Sequence, residues 1–369
     1  MARIALYLAG GGARGAYQAG VLKAVQHILD TKELPFTIIS GVSVGSINAA
    51  ILADHANDFS YAVEKLEDLW QSIHCHDIFH AQNYDLSKSI LRNLSHLFVK
   101  GPRPTHLLET TPLQHFLADN IDFDHIQTNI DNNLFETLEI ITHCYELQQT
   151  ISFCQHNQMS FENWQYPRHI SKSATINLDY ILASSALPLF FPPTSIDKMH
   201  YGDGSMGLIS PLRGAVRSQV EKILILGTRQ VPTHDVAEQL KTKDIGLAHV
   251  LGSMLNGLFL DNLDRDVELV NRMNEISHLL SMWKKRSAPW RPIDTLHLRP
   301  SIDISKIAQA DYHAMPKLLR IMLNLLGAQS HSGDLLSFLL FESTFTQDLV
   351  RLGYQDTMAT ADQVVLFFK

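Results

Sequence analysis

The sequence predicts an α/β protein with a mainly parallel sheet that is covered by helices on both faces. A strand, glycine turn and helix unit occurs twice within the first 53 residues, and further strand-like segments alternate with helical patterns. From residue 232 onward the pattern becomes mostly helical, without a long Gly/Ser/Pro linker. We therefore expect an α/β domain over residues 1–230 and a mostly helical C-terminal extension over 231–369 that packs on it.

Each unit begins with a short apolar run. In the first, Ile4–Leu8 precedes Gly10-Gly11-Gly12-Ala13-Arg14-Gly15, and apolar residues then recur with a helical period over 16–29. In the second, residues 36–39 precede Gly41-Val42-Ser43-Val44-Gly45, and small or aliphatic residues over 46–53 predict a helix. Further strands are predicted at 137–144, 150–154, 222–226 and 295–298, and further helices at 247–274, 317–326 and 335–352.

Composition and charge restrict the class of protein. The 369 residues are 45% hydrophobic and 18% charged, as in an ordinary globular protein, and the net charge of −8 argues against a nucleic-acid partner. We expect the three cysteines to be free thiols. No cleavable signal and no apolar run of 18 residues is visible, so we expect a soluble, cytoplasmic protein. Peripheral membrane contact stays open, because Trp283-Lys284-Lys285-Arg286 and Trp290 form either an interfacial patch or a solvated loop.

The first glycine cluster has the G-x-G-x-x-G pattern of dinucleotide-binding turns. That function requires an Asp or Glu near the end of the second strand, but residues 35–46 contain no acidic side chain. The glycines are therefore expected to bind another anion through backbone N–H groups at the start of a helix, including the oxyanion of an acyl-transfer intermediate, with Arg14 bracing the loop.

Gly41-x-Ser43-x-Gly45 has the pattern of a nucleophile elbow, in which a serine occupies a strained turn between strand and helix. The alternative is a serine that merely caps the following helix. A nucleophilic serine needs a base, and an elbow after only the second strand argues against an ordinary α/β-hydrolase. Asp203, which lies between Gly202 and Gly204, is the candidate base, although an Asp in this context is also a common turn residue.

Taken together, the motifs resemble those of the patatin-like phospholipase family. The resemblance rests on Gly10 to Gly15, Gly41 to Gly45 and Asp203-Gly204-Ser205, in that order. It also includes 183–188, 190–193 and Pro211-Leu212, and so covers about residues 4–230. The family implies a three-layer α/β/α sandwich and hydrolysis of lipid acyl esters by a Ser-Asp dyad without histidine. It implies Ser43 as nucleophile, Asp203 as base, and Gly10, Gly11 and Gly12 with Arg14 as the oxyanion loop.

The resemblance also sets the remaining expectations. We expect a phospholipid or related lipid ester as substrate, no metal and no cofactor, and an Asp203 that titrates near its ordinary value. Ser205 stands where the family usually has Gly or Ala, which keeps an impaired lipid-binding module as an alternative, and acyl transfer to an alcohol is a second one. Chance clustering is favoured over metal binding for His74, His76 and His80. His297 is the histidine to test first for a triad.

Overall fold

A mostly parallel sheet of ten strands lies at the centre of the computed structural model, which describes residues 2–80, 106–157, 162–230, 247–259, 261–279, 290–325 and 333–369. The strands are β1 (Ile4–Leu8), β2 (Ile38–Val42), β3 (Thr137–Cys144), β4 (Gln149–His156), β5 (Gln165–Tyr166), β6 (His169–Ser173), β7 (Thr194–Ile196), β8 (Met199–Asp203), β9 (Lys222–Leu226) and β10 (Asp294–Leu298). The helices of the first half are α1 (Ala16–Leu29), α2 (Val44–Asp54), α3 (Phe59–Ser72), α4 (Cys75–Ile78), α5 (Thr111–Asn120), α6 (Phe123–Asp131), α7 (Leu178–Ser184) and α8 (Arg213–Arg217). Those of the second half are α9 (Leu247–Phe259), α10 (Asp261–Leu279), α11 (Ile304–Ala310), α12 (Lys317–Leu325), α13 (Gly333–Leu339), α14 (Ser343–Ala359) and α15 (Ala361–Phe368).

The sheet has the order β10-β9-β1-β2-β3-β4-β6-β5, and the hairpin of β7 and β8 joins it through β3. Strands β10, β9, β1, β2 and β3 run parallel to one another, while β3 pairs antiparallel with both β4 and β8. Parallel neighbouring strands have their carboxyl ends at the same edge of the sheet. The carboxyl ends of β1 and β2 therefore share one edge. Both glycine motifs leave the sheet at that edge.

Apolar side chains fill both faces of the sheet. Leu6, Leu8 and Ile39 belong to a core that also contains buried residues of α1, α2, α3, α13 and α14. Tyr7, Val42 and Ile223 belong to a second core with residues of α8 and α10. Side chains along β1 and β2 are divided between the two cores, as expected for a sheet that is covered by helices on both faces. The fold is thus the predicted α/β/α arrangement of three layers.

Helix boundaries differ from the sequence prediction at one place in the second half. Apart from residue 260, which lies outside the described residues, α9 and α10 cover the helix predicted over 247–274, whereas the helix predicted over 335–352 corresponds to α13 and α14. Between these two helices Glu342 leaves the helical path and contacts the start of α4. Its Oε2 lies 2.9 Å from His74 Nδ1, and its Oε1 accepts the Cys75 N–H at 3.4 Å. Strand β2 also begins and ends later than predicted, so that Gly41 and Val42 are its last residues.

The C-terminal segment is built onto the same sheet. Strand β10 pairs with β9 over five residues, and α14 packs along α1. The division at residue 230 stays a prediction. All three cysteines are buried free thiols, as expected. Among the helices of the described ranges, none is long and apolar enough to cross a bilayer.

The packing of α1 on α14 depends on two glycines whose Cα atoms touch the backbone of the opposite helix. A Cβ on Gly20 would collide with the Val350 carbonyl, and one on Gly353 would collide with the Tyr17 carbonyl. We expect Gly20→Ala to lower the free energy of unfolding by about 2 kcal/mol, because the two helices must separate. Urea denaturation measures this effect. Gly257→Ala is the matched control: Gly257 lies on the exposed side of α9, where alanine should be neutral or slightly stabilising.

Candidate active site

Ser43 occupies a strained turn between β2 and α2. Its φ of 56° and ψ of −131° lie in a region that side-chain-bearing residues rarely adopt. Although Ser43 holds the N-cap position, its side chain makes no capping hydrogen bond. The first turn of α2 is instead closed by Ser46, whose N–H and Oγ donate to the Ser43 carbonyl at 2.9 and 2.6 Å. The capping alternative for Ser43 therefore has no support in the geometry, and the hydroxyl is available for chemistry.

The flanking glycines allow this turn to sit against its neighbours. A Cβ on Gly41 would collide with the Gly45 carbonyl, and a Cβ on Gly45 would collide with the Leu8 carbonyl at the end of β1. Side chains at these positions would push the elbow away from the sheet. Gly41 and Gly45 thus bring Ser43 next to the loop that follows β1, as a nucleophile elbow requires.

A second serine fixes the backbone of Ser43, and the sequence did not single it out. Ser184, fully buried at the end of α7, accepts the Ser43 N–H through its Oγ at 3.0 Å and donates to the Ile141 carbonyl in β3 at 2.7 Å. This chain of hydrogen bonds ties the strained turn to the central strand. Ser184 belongs to the segment 183–188 that contributed to the family resemblance, but only the fold reveals its contact.

The register of β3 brings Asp203 to Ser43. Strand β4 occupies one side of β3 along its whole length, and the other side is shared by β2 and β8. β2 ends with Val42 opposite Ile141, and β8 arrives from the other direction and ends with Asp203 opposite Thr142. The carboxyl ends of β2 and β8 therefore meet on consecutive residues of β3. Ser43 follows the last residue of β2, and Asp203 is the last residue of β8.

Asp203 is completely buried, and its two carboxylate oxygens have different surroundings. Oδ1 accepts the Ser205 N–H at 2.9 Å, which closes the tight turn Gly204–Gly207. In the described structure Oδ2 has no partner with full hydrogen-bond geometry, but the hydroxyls of Ser43 and Ser205 are both close enough to lower the pKa of the carboxyl. The Asp203 N–H donates to the Ala186 carbonyl at 3.2 Å and so anchors the residue to segment 183–188. Oδ1 is thus engaged in the turn, whereas Oδ2 has no fixed hydrogen bond within the described residues.

The expectation that Asp203 titrates near its ordinary value was wrong. Burial raises the pKa of Asp203 to about 7, against the lowering effect of hydrogen bonds from the Ser43 side chain and from Ser205. A carboxylate loses its hydration in such an environment, so its charged form is disfavoured. An aspartate with this pKa is a far better proton acceptor at neutral pH than a solvated one.

The glycine loop after β1 presents a row of unpaired N–H groups. Three successive carbonyls are held by other groups: Gln18 Nε2 donates to Ala9 O at 2.8 Å, Thr228 Oγ1 to Gly10 O at 2.6 Å, and the Arg14 N–H to Gly11 O at 3.2 Å. In a planar trans peptide the N–H of the next residue points the opposite way. The N–H groups of Gly10, Gly11 and Gly12 donate to no protein acceptor within the described residues. Such a nest can bind an anion.

Gln18 is held in turn by a buried network that sequence reasoning missed. Asn48 of α2 donates to Gln18 Oε1 at 2.9 Å and accepts the Trp70 indole N–H at 2.9 Å. Gln18 and Asn48 lie within helices and belong to none of the three motifs, so the sequence gives no signal for their contact. Their hydrogen bonds join the nucleophile helix α2 to the glycine loop, so the two motifs hold a fixed relative position.

The Arg14 side chain binds α13 and forms no hydrogen bond with Ser43 or Asp203 within the described residues. Its guanidinium donates to Ser337 Oγ at 2.8 Å and to Asp334 Oδ1 at 3.2 Å, both on α13, and lies 4.4 Å from the centre of the Phe338 ring. The arginine therefore braces the loop, as the sequence suggested, and it is the backbone of Gly10 to Gly12 that supplies the free N–H donors.

The third motif forms its turn despite the serine at position 205. Gly204 packs so closely on the Ile141 carbonyl that a Cβ would collide with it, while Ser205 makes the backbone hydrogen bond to Asp203 described above. The Ser205 hydroxyl is buried and has no partner with full hydrogen-bond geometry in the described structure, but it is close enough to Asp203 to lower the pKa of that carboxyl. Ser205 also lines a small cavity of about 10 Å³ with Tyr7 and Asn262. A cavity of this size accommodates about one water molecule.

A larger cavity of about 310 Å³ lies beside segment 183–188. Its walls include Leu113, Leu182, Ala186 and Phe191, which are apolar, together with several hydroxyl and amide side chains. Because Ala186 accepts the Asp203 N–H, one wall of the cavity is attached directly to the third motif. A volume in this range suits a small organic group.

The histidines considered from the sequence lie elsewhere. His297 is on β10, which β9 and β1 separate from β2, and burial lowers its pKa to about 3. His74 pairs with Glu342, and His76 contacts Asp77. In the described ranges no group of three or more His, Cys, Asp or Glu side chains is placed to hold a metal ion.

Most of the basic and aromatic stretch lies outside the described residues. Lys284, Lys285 and Arg286 belong to that part, together with Trp283. Trp290 is described: its indole N–H donates to Asn274 Oδ1 at 3.3 Å, and its ring packs on the core beneath α10.

Comparison with known proteins identifies the family. The sequence model of the patatin-like phospholipases matches residues 6–216, which include all three motifs. Among solved structures the chain is similar to VipD from Legionella pneumophila, with a TM-score of 0.35 and 14% sequence identity, over 98% of this chain and 67% of VipD. No functionally curated protein matches the sequence. On the family match, which spans more than half of its length, the chain belongs to the patatin-like phospholipase family.

Proposed function

We propose that this protein is a lipid acyl hydrolase of the phospholipase A or lysophospholipase type, with Ser43 as nucleophile and Asp203 as general base. The observation that carries the proposal is the meeting of β2 and β8 on β3, which places a strained, uncapped serine beside a buried carboxyl with a raised pKa. Family membership supports a lipid ester as substrate. The unpaired N–H groups of Gly10, Gly11 and Gly12 complete the set needed for acyl transfer.

The chemistry follows from these positions. Asp203 accepts the Ser43 proton as Oγ attacks the ester carbonyl, and the glycine N–H groups stabilise the negative charge that develops on the carbonyl oxygen. Collapse of the tetrahedral intermediate breaks the ester bond, and the departing alcohol takes the proton from Asp203. Water then attacks the acyl-enzyme and gives a proton to Asp203, and the second collapse releases the fatty acid and returns that proton to Ser43.

Two alternatives are outcomes of the same assays. In acyl transfer an alcohol replaces water in the second half of the reaction, so added glycerol would divert acyl groups from fatty acid to a new ester. In a lipid-binding module without catalysis neither product forms. Ser205 motivated that second alternative, but its N–H forms the turn on Asp203, which supports the catalytic proposal.

The first prediction concerns the dyad itself. Ser43→Ala and Asp203→Asn should each lower kcat on a p-nitrophenyl ester by about 10⁴-fold or more, because one removes the nucleophile and the other the base. Ser305→Ala, at a buried serine of α11, is the control and should retain full activity. A fluorophosphonate should label Ser43 in the unaltered protein. Substantial turnover by either dyad variant would exclude this mechanism.

The second prediction is a pH profile. The base must be ionised before it can accept a proton, and burial raises the pKa of Asp203 to about 7. Consequently kcat/KM for a neutral soluble ester should rise with pH through a midpoint near 7 and then level off. Stopped assays in buffers of constant ionic strength between pH 5 and pH 9 measure it. A profile that is already level at pH 5 would mean that the carboxyl of the free enzyme is solvated and titrates near its ordinary value.

The third prediction separates a dyad from a triad. His297→Ala should leave kcat within about tenfold of the unaltered enzyme, since β10 lies away from the dyad and loss of a triad base costs about 10⁴ or more. A hundredfold loss with an unchanged melting temperature would assign the base to histidine instead.

A further inference from the structure

The Arg14 side chain connects the glycine loop to a helix more than 300 residues away in sequence. Arg14 is almost fully buried, whereas the side chain of Asp334 is half exposed. Nε donates to Ser337 Oγ at 2.8 Å, and Ser337 Oγ itself donates to the Asp334 carbonyl at 2.6 Å. Nη2 donates to Asp334 Oδ1 at 3.2 Å. Asp334 and Ser337 therefore offset the charge of a buried cation and accept hydrogen bonds from its Nε and Nη2 groups.

The backbone of the same loop also rests on α13. A Cβ on Gly12 would collide with the Phe338 carbonyl, so the Gly12 Cα lies directly against the last turn of that helix. The loop has φ values of 149° at Gly11 and 57° at Gly12, which glycine adopts without a steric cost but which nothing local enforces. Contacts from outside the loop must select this conformation.

We propose that α13 is a positioning element of the oxyanion site, with Asp334 and Ser337 as positioning residues that act through Arg14. This inference rests on the proposed function and extends it, because α13 lies beyond residue 216, where the family match ends. The Arg14 N–H donates to Gly11 O, so displacement of Arg14 reorients the peptide that carries the Gly12 N–H. Loss of one oxyanion donor typically costs about 10²–10³ in turnover.

The opposing explanation is that the contact only attaches the C-terminal helices to the sheet. In that case its loss would lower the melting temperature without a specific effect on kcat. The two explanations differ in kinetics, because oxyanion donors act on the transition state and leave substrate binding nearly unchanged.

The test compares Asp334→Asn and Ser337→Ala with Asp334→Glu and with the control Asp348→Asn, which removes an exposed partner of Arg351 on α14. We expect Asp334→Asn and Ser337→Ala to lower kcat on a p-nitrophenyl ester about tenfold or more with KM within about twofold. The rate of fluorophosphonate attack at Ser43 should fall in parallel. Asp334→Glu should keep most of the kcat, and Asp348→Asn all of it.

Hydrogen exchange supplies a readout that does not need activity. The amides of Ala9 and Arg14 are hydrogen-bonded to Leu226 O and Gly11 O, so a peptide covering 8–15 reports on the conformation of the loop. Exchange in this peptide should be faster in Asp334→Asn and Ser337→Ala than in the control. Unchanged exchange, or a rise in KM alone, would overturn the proposal. If the unaltered protein neither hydrolyses esters nor reacts at Ser43, the proposed function fails, and exchange alone then decides whether α13 positions the loop.

Discussion

The site depends on a single constraint of strand register, namely that β2 and β8 share one side of β3. A parallel strand and an antiparallel strand can share one side of β3 only if they pair with different stretches of it, and here both strands end at the boundary between Ile141 and Thr142. At that boundary each strand leaves the sheet in a tight turn. Ser43 and Asp203 are the residues at those turns, so their relative position follows from hydrogen bonding in the sheet.

The glycine loop is held differently, because it is not part of the sheet and its position depends on individual contacts from other segments. Its carbonyls are bound one by one by Gln18 from α1, Thr228 after β9 and the backbone of Arg14, and the Gly12 Cα touches α13. These partners come from widely separated parts of the chain. A rigid array of N–H donors needs no reorganisation when charge develops beside it, which is the physical basis of oxyanion stabilisation. The position of α13 thus matters to a loop near the N-terminus.

Much of this arrangement could be predicted from sequence, and the remainder depends on tertiary contacts. The repeated strand, turn and helix pattern indicates the parallel sheet and puts Ser43 at an elbow, because glycines and apolar periodicity are local signals. No local signal shows that Asp203 ends a strand, that Ser184 holds the Ser43 N–H, or that Arg14 binds Asp334. The ordinary pKa assumed for Asp203 was wrong for the same reason, since burial is a property of the whole fold.

Under the proposed mechanism, the buried carboxyl of Asp203 also couples catalysis to the thermodynamics of folding. In the unfolded chain an aspartate titrates near 3.8, whereas burial raises the pKa of Asp203 to about 7 in the native state. Between those values the native protein retains a proton that the unfolded chain has lost, so its stability declines as the pH rises and levels off above 7. A shift of this size corresponds to roughly 4 kcal/mol at most. The ionised form that abstracts a proton is therefore the form in which the fold is least stable, and substrate binding at that pH would offset part of the difference.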